Sequence, residues 1–102
     1  MDIEQIELIN GKKIQILEMV LTNKVDQLEL TWRFFCDKLI FHITFYNVSR
    51  FRIENFSVPL EVYGLEIINH SQNCWERDSK YEIRDFEDNR VNFFCESFEI
   101  HT

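Results

Sequence analysis

An antiparallel all-β domain, either a sandwich or a partly open barrel of about seven or eight strands, is what this sequence predicts. Three observations carry the prediction. Apolar and polar residues alternate at a spacing of two, as in Leu28, Leu30, Trp32 and Phe34 against Glu29, Thr31 and Arg33, which puts the apolar set on one face of a strand. β-branched and aromatic residues dominate, with ten Phe, three Tyr and two Trp in 102 residues, and these are the residues that fit a pleated, half-buried surface. Turn-forming pairs separate the runs. No segment shows the i, i+3, i+4, i+7 pattern between caps, although Ile3 and Ile6 leave a short helix within residues 1–8 open.

The elements follow in chain order. Asn10-Gly11 is a favoured pair for a two-residue hairpin turn, because both central residues take positive φ. Ile6 and Leu8 before it, and Ile14 and Ile16 after it, predict strands at about 4–9 and 12–21. Asn23-Lys24 marks the next turn, and Leu28 to Phe34 form the strand described above. Asp37-Lys38 suits another tight turn. Leu39, Phe41, Ile43 and Phe45 then alternate with His42 and Thr44, completing a hairpin at the centre of the core. Val48, Phe51 and Ile53 form a less regular strand, broken from Asn55 to Pro59. Pro59 cannot donate to a ladder, so it belongs at an edge or in a loop.

Leu60 and Val62 resume the pattern, Gly64 signals a bulge or bend, and Leu65 and Ile67 finish the run. His70 to Ser79 is polar apart from Cys74-Trp75 and reads as the longest loop. Tyr81 and Ile83 open another strand, with a turn at Asp88-Asn89. Val91, Phe93 and Cys95 share one parity; Phe94, Phe98 and Ile100 share the other. With both faces apolar, this last strand is either central or switches sheets. The triplets Phe34-Phe35-Cys36 and Phe93-Phe94-Cys95 are alike but too short to be a repeat.

The totals fit one domain over residues 1–102, with a globular composition of 45% hydrophobic and 28% charged residues. The net charge of −7 and the scattered basic residues argue against nucleic acid and against an anionic membrane surface. The same charge keeps a small domain soluble and suits a basic protein partner. The start Met1-Asp2-Ile3-Glu4 lacks the basic region of a secretory leader, and the three cysteines Cys36, Cys74 and Cys95 form no CxxC. A cytoplasmic location with free thiols is therefore expected.

Chemistry is hard to assemble from these residues. A metal site needs three or four converging ligands. Cys36 and His42 lie six apart and would meet only through the hairpin turn, while Cys74 shares a loop with His70. No nucleophile sits on a Gly-rich turn, and with two glycines there is no phosphate loop. The expectation is a domain that is not an enzyme and has no metal and no cofactor. Glu76 to Glu99 is more suggestive, carrying Glu76, Asp78, Glu82, Asp85, Glu87, Asp88, Glu96 and Glu99 against Arg77, Lys80, Arg84 and Arg90. If the 70–79 loop and the 87–90 turn share one end of a sheet, Trp75 stands inside an acidic rim that a protein could dock on. The contact residues expected are Trp75, Glu76, Asp78, Asp85, Glu87 and Asp88. The competing reading tucks Trp75 under the loop and leaves the acids to solvate an edge strand.

The succession Leu30-Thr31-Trp32-Arg33-Phe34, Phe45-Tyr46-Asn47-Val48-Ser49, Tyr63-Gly64-Leu65-Glu66-Ile67, Trp75-Glu76, Tyr81 to Glu87 and Val91-Asn92-Phe93-Phe94-Cys95-Glu96 resembles small bacterial all-β proteins grouped among the polymorphic-toxin immunity proteins. The resemblance runs over about residues 3–100 in strand-and-turn patterns. It implies a stoichiometric cytoplasmic inhibitor that binds and blocks a cognate toxin domain, and it brings no catalytic residues. An acidic inhibitor suits a nuclease toxin with a basic cleft. Two other readings stand beside it. One is a small-molecule-binding sandwich with a pocket among Trp32, Phe34, Phe41 and Phe45. The other is a self-associating module, such as a homodimer, pairing through an exposed strand edge.

Overall fold

The computed structural model describes residues 10–53, 59–70, 80–85 and 91–101. Among these residues the chain forms β1 (Ile14–Lys24), β2 (Gln27–Cys36), β3 (Leu39–Tyr46), β4 (Ser49–Ile53), β5 (Leu60–Val62), β6 (Leu65–Asn69), β7 (Tyr81–Asp85), β8 (Val91–Cys95) and β9 (Ser97–His101). They build two antiparallel sheets: five strands in the order β5-β1-β2-β3-β9 and four in the order β4-β8-β7-β6. The all-β prediction holds. The expected strand at 4–9 lies outside the described residues, as do the 71–79 stretch and the turn at 86–90.

The strand count of nine among the described residues arises because two runs read as single strands are each divided. At Tyr63-Gly64 the chain leaves β5 in one sheet for β6 in the other. At Glu96 it leaves β8 for β9, so the final run does switch sheets. In both places the buried parity changes, from Leu60 and Val62 to Leu65 and Ile67, and from Val91 and Phe93 to Phe98. A chain that crosses to the facing sheet must present its opposite side to keep apolar residues inside.

Backbone bonds carry the pairing around both corners. The Glu96 amide donates to the Tyr46 carbonyl at 3.0 Å, where β3 turns into β4 beside the β8–β9 crossing. At the other corner the Gly11 amide donates to the Leu65 carbonyl at 2.6 Å, and the Ile67 amide donates to Asn10 Oδ1 at 3.0 Å. Gly11 takes φ +78° there, a conformation glycine adopts without strain.

A third parity change has a different cause. Ile14 and Ile16 of β1 are buried, but further along Met19 is the residue that packs on the core. The β1–β2 register shifts between Ile16 and Glu18, which leaves Leu17 as the extra residue of a β-bulge. The turn after β1 also falls later than the sequence predicts. Asn23 and Lys24 pair with Leu28 and Gln27, and Val25-Asp26 makes the turn, with Asp26 at φ +61°. Asp37-Lys38 turns where expected, both residues at positive φ (+52° and +69°), the type I′ geometry that matches the twist of a hairpin.

Aromatic side chains fill the space between the sheets. Trp32 and Phe45 from the five-stranded sheet meet Phe93 from the four-stranded one edge to face, at 5.8 Å and 4.8 Å between centroids. Tyr81 meets Phe98 across the same gap at 5.3 Å. All of Trp32, Phe34, Phe41 and Phe45 are buried in this packing, so the rings occupy the place where a ligand pocket among them would lie.

Two stability changes are expected. Phe93→Ala removes the ring shared by Trp32, Phe45 and Phe51 and should cost about 3–5 kcal/mol, read as a lower urea midpoint with unchanged slope. Lys38→Gly should stabilise by roughly 0.5–1 kcal/mol, because it relieves a left-handed lysine while loosening the unfolded chain.

Candidate interaction surface

The outer face of the five-stranded sheet is read off the registers. Phe35 of β2 pairs with Gln15 of β1 on one side and Ile40 of β3 on the other, and Gln15 pairs with Glu61 of β5. The row Glu61–Gln15–Phe35–Ile40 therefore crosses four strands on one face. Phe35 and Ile40 are 40% and 46% exposed, unusual for two large apolar side chains opposite each other. Leu39, at the adjacent end of β3, is also exposed.

Beside this row lies a hollow of about 360 Å³ lined by Lys13, Ile14, Gln15, Phe35, Cys36, Asp37 and Glu61. Its rim is charged and held in place. Lys12 Nζ lies 2.6 Å from Asp37 Oδ2, and this bond to the carboxylate raises the lysine pKa. Lys13 Nζ sits 4.9 Å from the centre of the Tyr63 ring, and the Tyr63 hydroxyl donates to Glu61. The arrangement is an apolar pair within a polar rim of both charge signs.

Of the residues expected to form the acidic patch, only Asp85 is among the described residues. Trp75, Glu76, Asp78, Glu87 and Asp88 lie outside the described residues. Asp85 does not stand on a rim; it is 1% exposed on β7. The reason is strand parity. Tyr81, Ile83 and Asp85 alternate inward while Glu82 and Arg84 alternate outward, so the carboxylate shares a face with two core residues. Outward-facing Arg84 bonds Glu66 of β6 at 3.1 Å, and Glu82 bonds His70 at 3.0 Å.

Cys36 and His42 fall on opposite faces of the sheet. Cys36 is buried in phase with Trp32 and Phe34, whereas His42 pairs with Arg33 on the outer face. Among the described residues no group of three His, Cys, Asp or Glu is arranged to hold a metal ion. Cys36 and Cys95 are free and buried, and burial pushes both thiols up from their ordinary pKa. A protonated, enclosed thiol is a poor nucleophile. Among the described residues, no helix is long and apolar enough to cross a membrane.

Phe35 and Ile40 occupy the polar parity of their strands, beside Arg33 and His42, so alternation alone does not single them out. The usable signal was an apolar residue in an outward position on each of two paired strands. A scan against protein-family models and searches of curated proteins and of solved structures return no match to this chain.

The buried thiols give a pH dependence with a definite sign. The folded Cys95 thiol keeps its proton well above the ordinary value of 9.0, so above that pH the unfolded chain binds fewer protons than the folded one. Stability is therefore complete below pH 9 and falls as pH rises beyond it, by about 1.4 kcal/mol per unit for one fully shifted group. Burial raises Tyr81 in the same direction. Urea midpoints measured from pH 8 upward should show this decline, and Cys95→Ala should flatten it.

Proposed function

We propose that this domain is a non-catalytic protein-binding module, and that its specific role is that of a cytoplasmic immunity protein blocking a cognate bacterial toxin. The observation that carries the binding reading is the exposed Phe35–Ile40 pair beside the hollow. An apolar centre inside a polar rim is how protein interfaces concentrate their energy. The lining of the hollow, with Lys13, Asp37 and Glu61, suits side chains of a protein partner better than the mostly apolar walls of small-molecule sites. The toxin assignment rests on the family resemblance. The acidic stretch Trp75, Glu76, Asp78, Glu87 and Asp88 supplies a second contact region under this reading, one suited to a basic toxin domain.

Capture of tagged protein from its host, followed by expression of the captured partner, tests the proposal. The expected result is one stoichiometric partner that is toxic alone and neutralised by coexpression. Phe35→Ala combined with Ile40→Asp should leave the circular dichroism unchanged and weaken the complex by about 2 kcal/mol or more, the scale of an interface anchor. Full affinity in that double variant would remove the Phe35–Ile40 surface from the proposal. Charge reversal at Glu76, Asp78, Glu87 and Asp88 separately tests the acidic region.

A further inference from the structure

The long hairpin β1–β2 has one edge that is only partly used. Along β1, the ladder to β2 runs as far as Lys24, whereas the ladder to β5 covers only Ile14, Gln15 and Ile16. Past the bulge at Leu17, Glu18 to Lys24 have a strand on one side only among the described residues. Alternate residues there direct their N–H and C=O groups outward, the template that another strand pairs with. The side chains at this edge are open too: Val20 and Leu21 are 47% and 49% exposed, and Val25 at the turn is 92% exposed.

The sequence of this edge is complementary to itself. In an antiparallel pairing of two copies with the twofold axis at Leu21, residues equally distant from Leu21 face each other. Glu18 then stands opposite Lys24 of the second copy, Met19 opposite Asn23, and Val20 opposite Thr22. Both opposite-charge pairs fall on the outer face, and the β-branched residues sit across from each other, the pairings that stabilise adjacent strands. The bulge at Leu17 and the end of β1 at Lys24 bound the same seven residues that this register uses. Shifting by two residues either way loses the charge match, and in one direction it places Lys24 against Ile16, whose edge β5 already holds. Lys24 Nζ lies 3.3 Å from Glu29 Oε2 of β2, on the side of β1 away from the open edge, so the lysine turns from Glu29 to meet an incoming Glu18.

The geometry points to an isologous dimer in which β1 of one copy pairs antiparallel with β1 of a second copy over Glu18 to Lys24, joining the two five-stranded sheets edge to edge. This interface is independent of the toxin-binding reading and uses different residues.

Sedimentation of the wild-type chain across micromolar to millimolar concentrations should show a reversible monomer–dimer equilibrium. Glu18→Lys alone and Lys24→Glu alone each set like charges opposite one another twice, and each should weaken self-association about tenfold or more. Mixing the two variants should restore association as a heterodimer, because each altered charge then meets its opposite. Leu21→Arg, which places two cations on the axis, should also give a monomer, with unchanged circular dichroism showing that the chain still folds. A wild-type chain that stays monomeric throughout overturns the proposal. So does a dimer indifferent to these substitutions, or a failure of the two charge variants to associate when mixed.

Discussion

The contact on which the rest of the structure depends is the edge-to-face packing of Trp32 and Phe45 against Phe93. It is the place where the two sheets meet through their largest side chains, and each ring is wholly buried. Such pairs contribute roughly 0.5–1.5 kcal/mol beyond the area they bury. The arrangement also carries a cost. Among the described residues the Trp32 indole N–H finds no oxygen or nitrogen acceptor, a loss on the order of 1–3 kcal/mol for a buried donor. The ring faces around it offer only a weak substitute. Trp32 is therefore held by shape and apolar area, and the hairpin β2–β3 that supplies Trp32 and Phe45 must keep its register for the cluster to form. The type I′ turn at Asp37-Lys38 sets that register, which explains why two left-handed residues are tolerated there.

Much of the fold was legible because alternation is a direct consequence of a two-sided sheet. The hairpin from Leu28 to Phe45 could be read almost residue by residue. What alternation does not tell is why it fails. Among the described residues parity changes at several places, three of them after Ile16, after Val62 and after Phe93. The first is a bulge inside a strand, and the other two are crossings between sheets. In the one-dimensional pattern these look alike, since each adds an odd step between apolar residues. Only the partner strand distinguishes them: β1 keeps β2 through its bulge, whereas β8 and β9 have different neighbours. Pairing partners are long-range facts, and local sequence does not contain them. The turn after β1 falls later than local sequence suggests for a related reason. Polar residues at Asn23-Lys24 looked like a turn, but they are the exposed end of a hairpin whose tip is Val25-Asp26.

The candidate surface was less legible than the fold. Charge drew the reading toward the acidic stretch, yet the parity of Tyr81, Ile83 and Asp85 already put Asp85 inward. Phe35 and Ile40 were hidden by the opposite error, because apolar residues are ordinarily assigned to the core. A hydrophobic residue in an outward position is informative only once the opposing strand is known to carry another. One exposed apolar side chain is unremarkable, but two cross-strand neighbours form a patch. The pairing of Phe35 with Ile40 is thus the step that turns two ordinary residues into a surface.

The two surfaces sit at opposite ends of one hairpin, and that placement has a consequence. Gln15 lies in the Phe35–Ile40 row and Lys24 at the far end of β1, a separation of about 30 Å at strand spacing. A partner seated over Phe35 need not touch the edge from Glu18 to Lys24. Leu21, the point equidistant from Glu18 and Lys24, lies about 20 Å from Gln15 along the strand. Two copies joined along β1 would therefore leave both hollows free, one on each side of the twofold axis. Each dimer could then engage two partners, or two sites on one symmetric partner, with the gain in effective concentration that bivalency brings. The bulge at Leu17 marks the boundary between the β5-paired segment of β1 and its open segment.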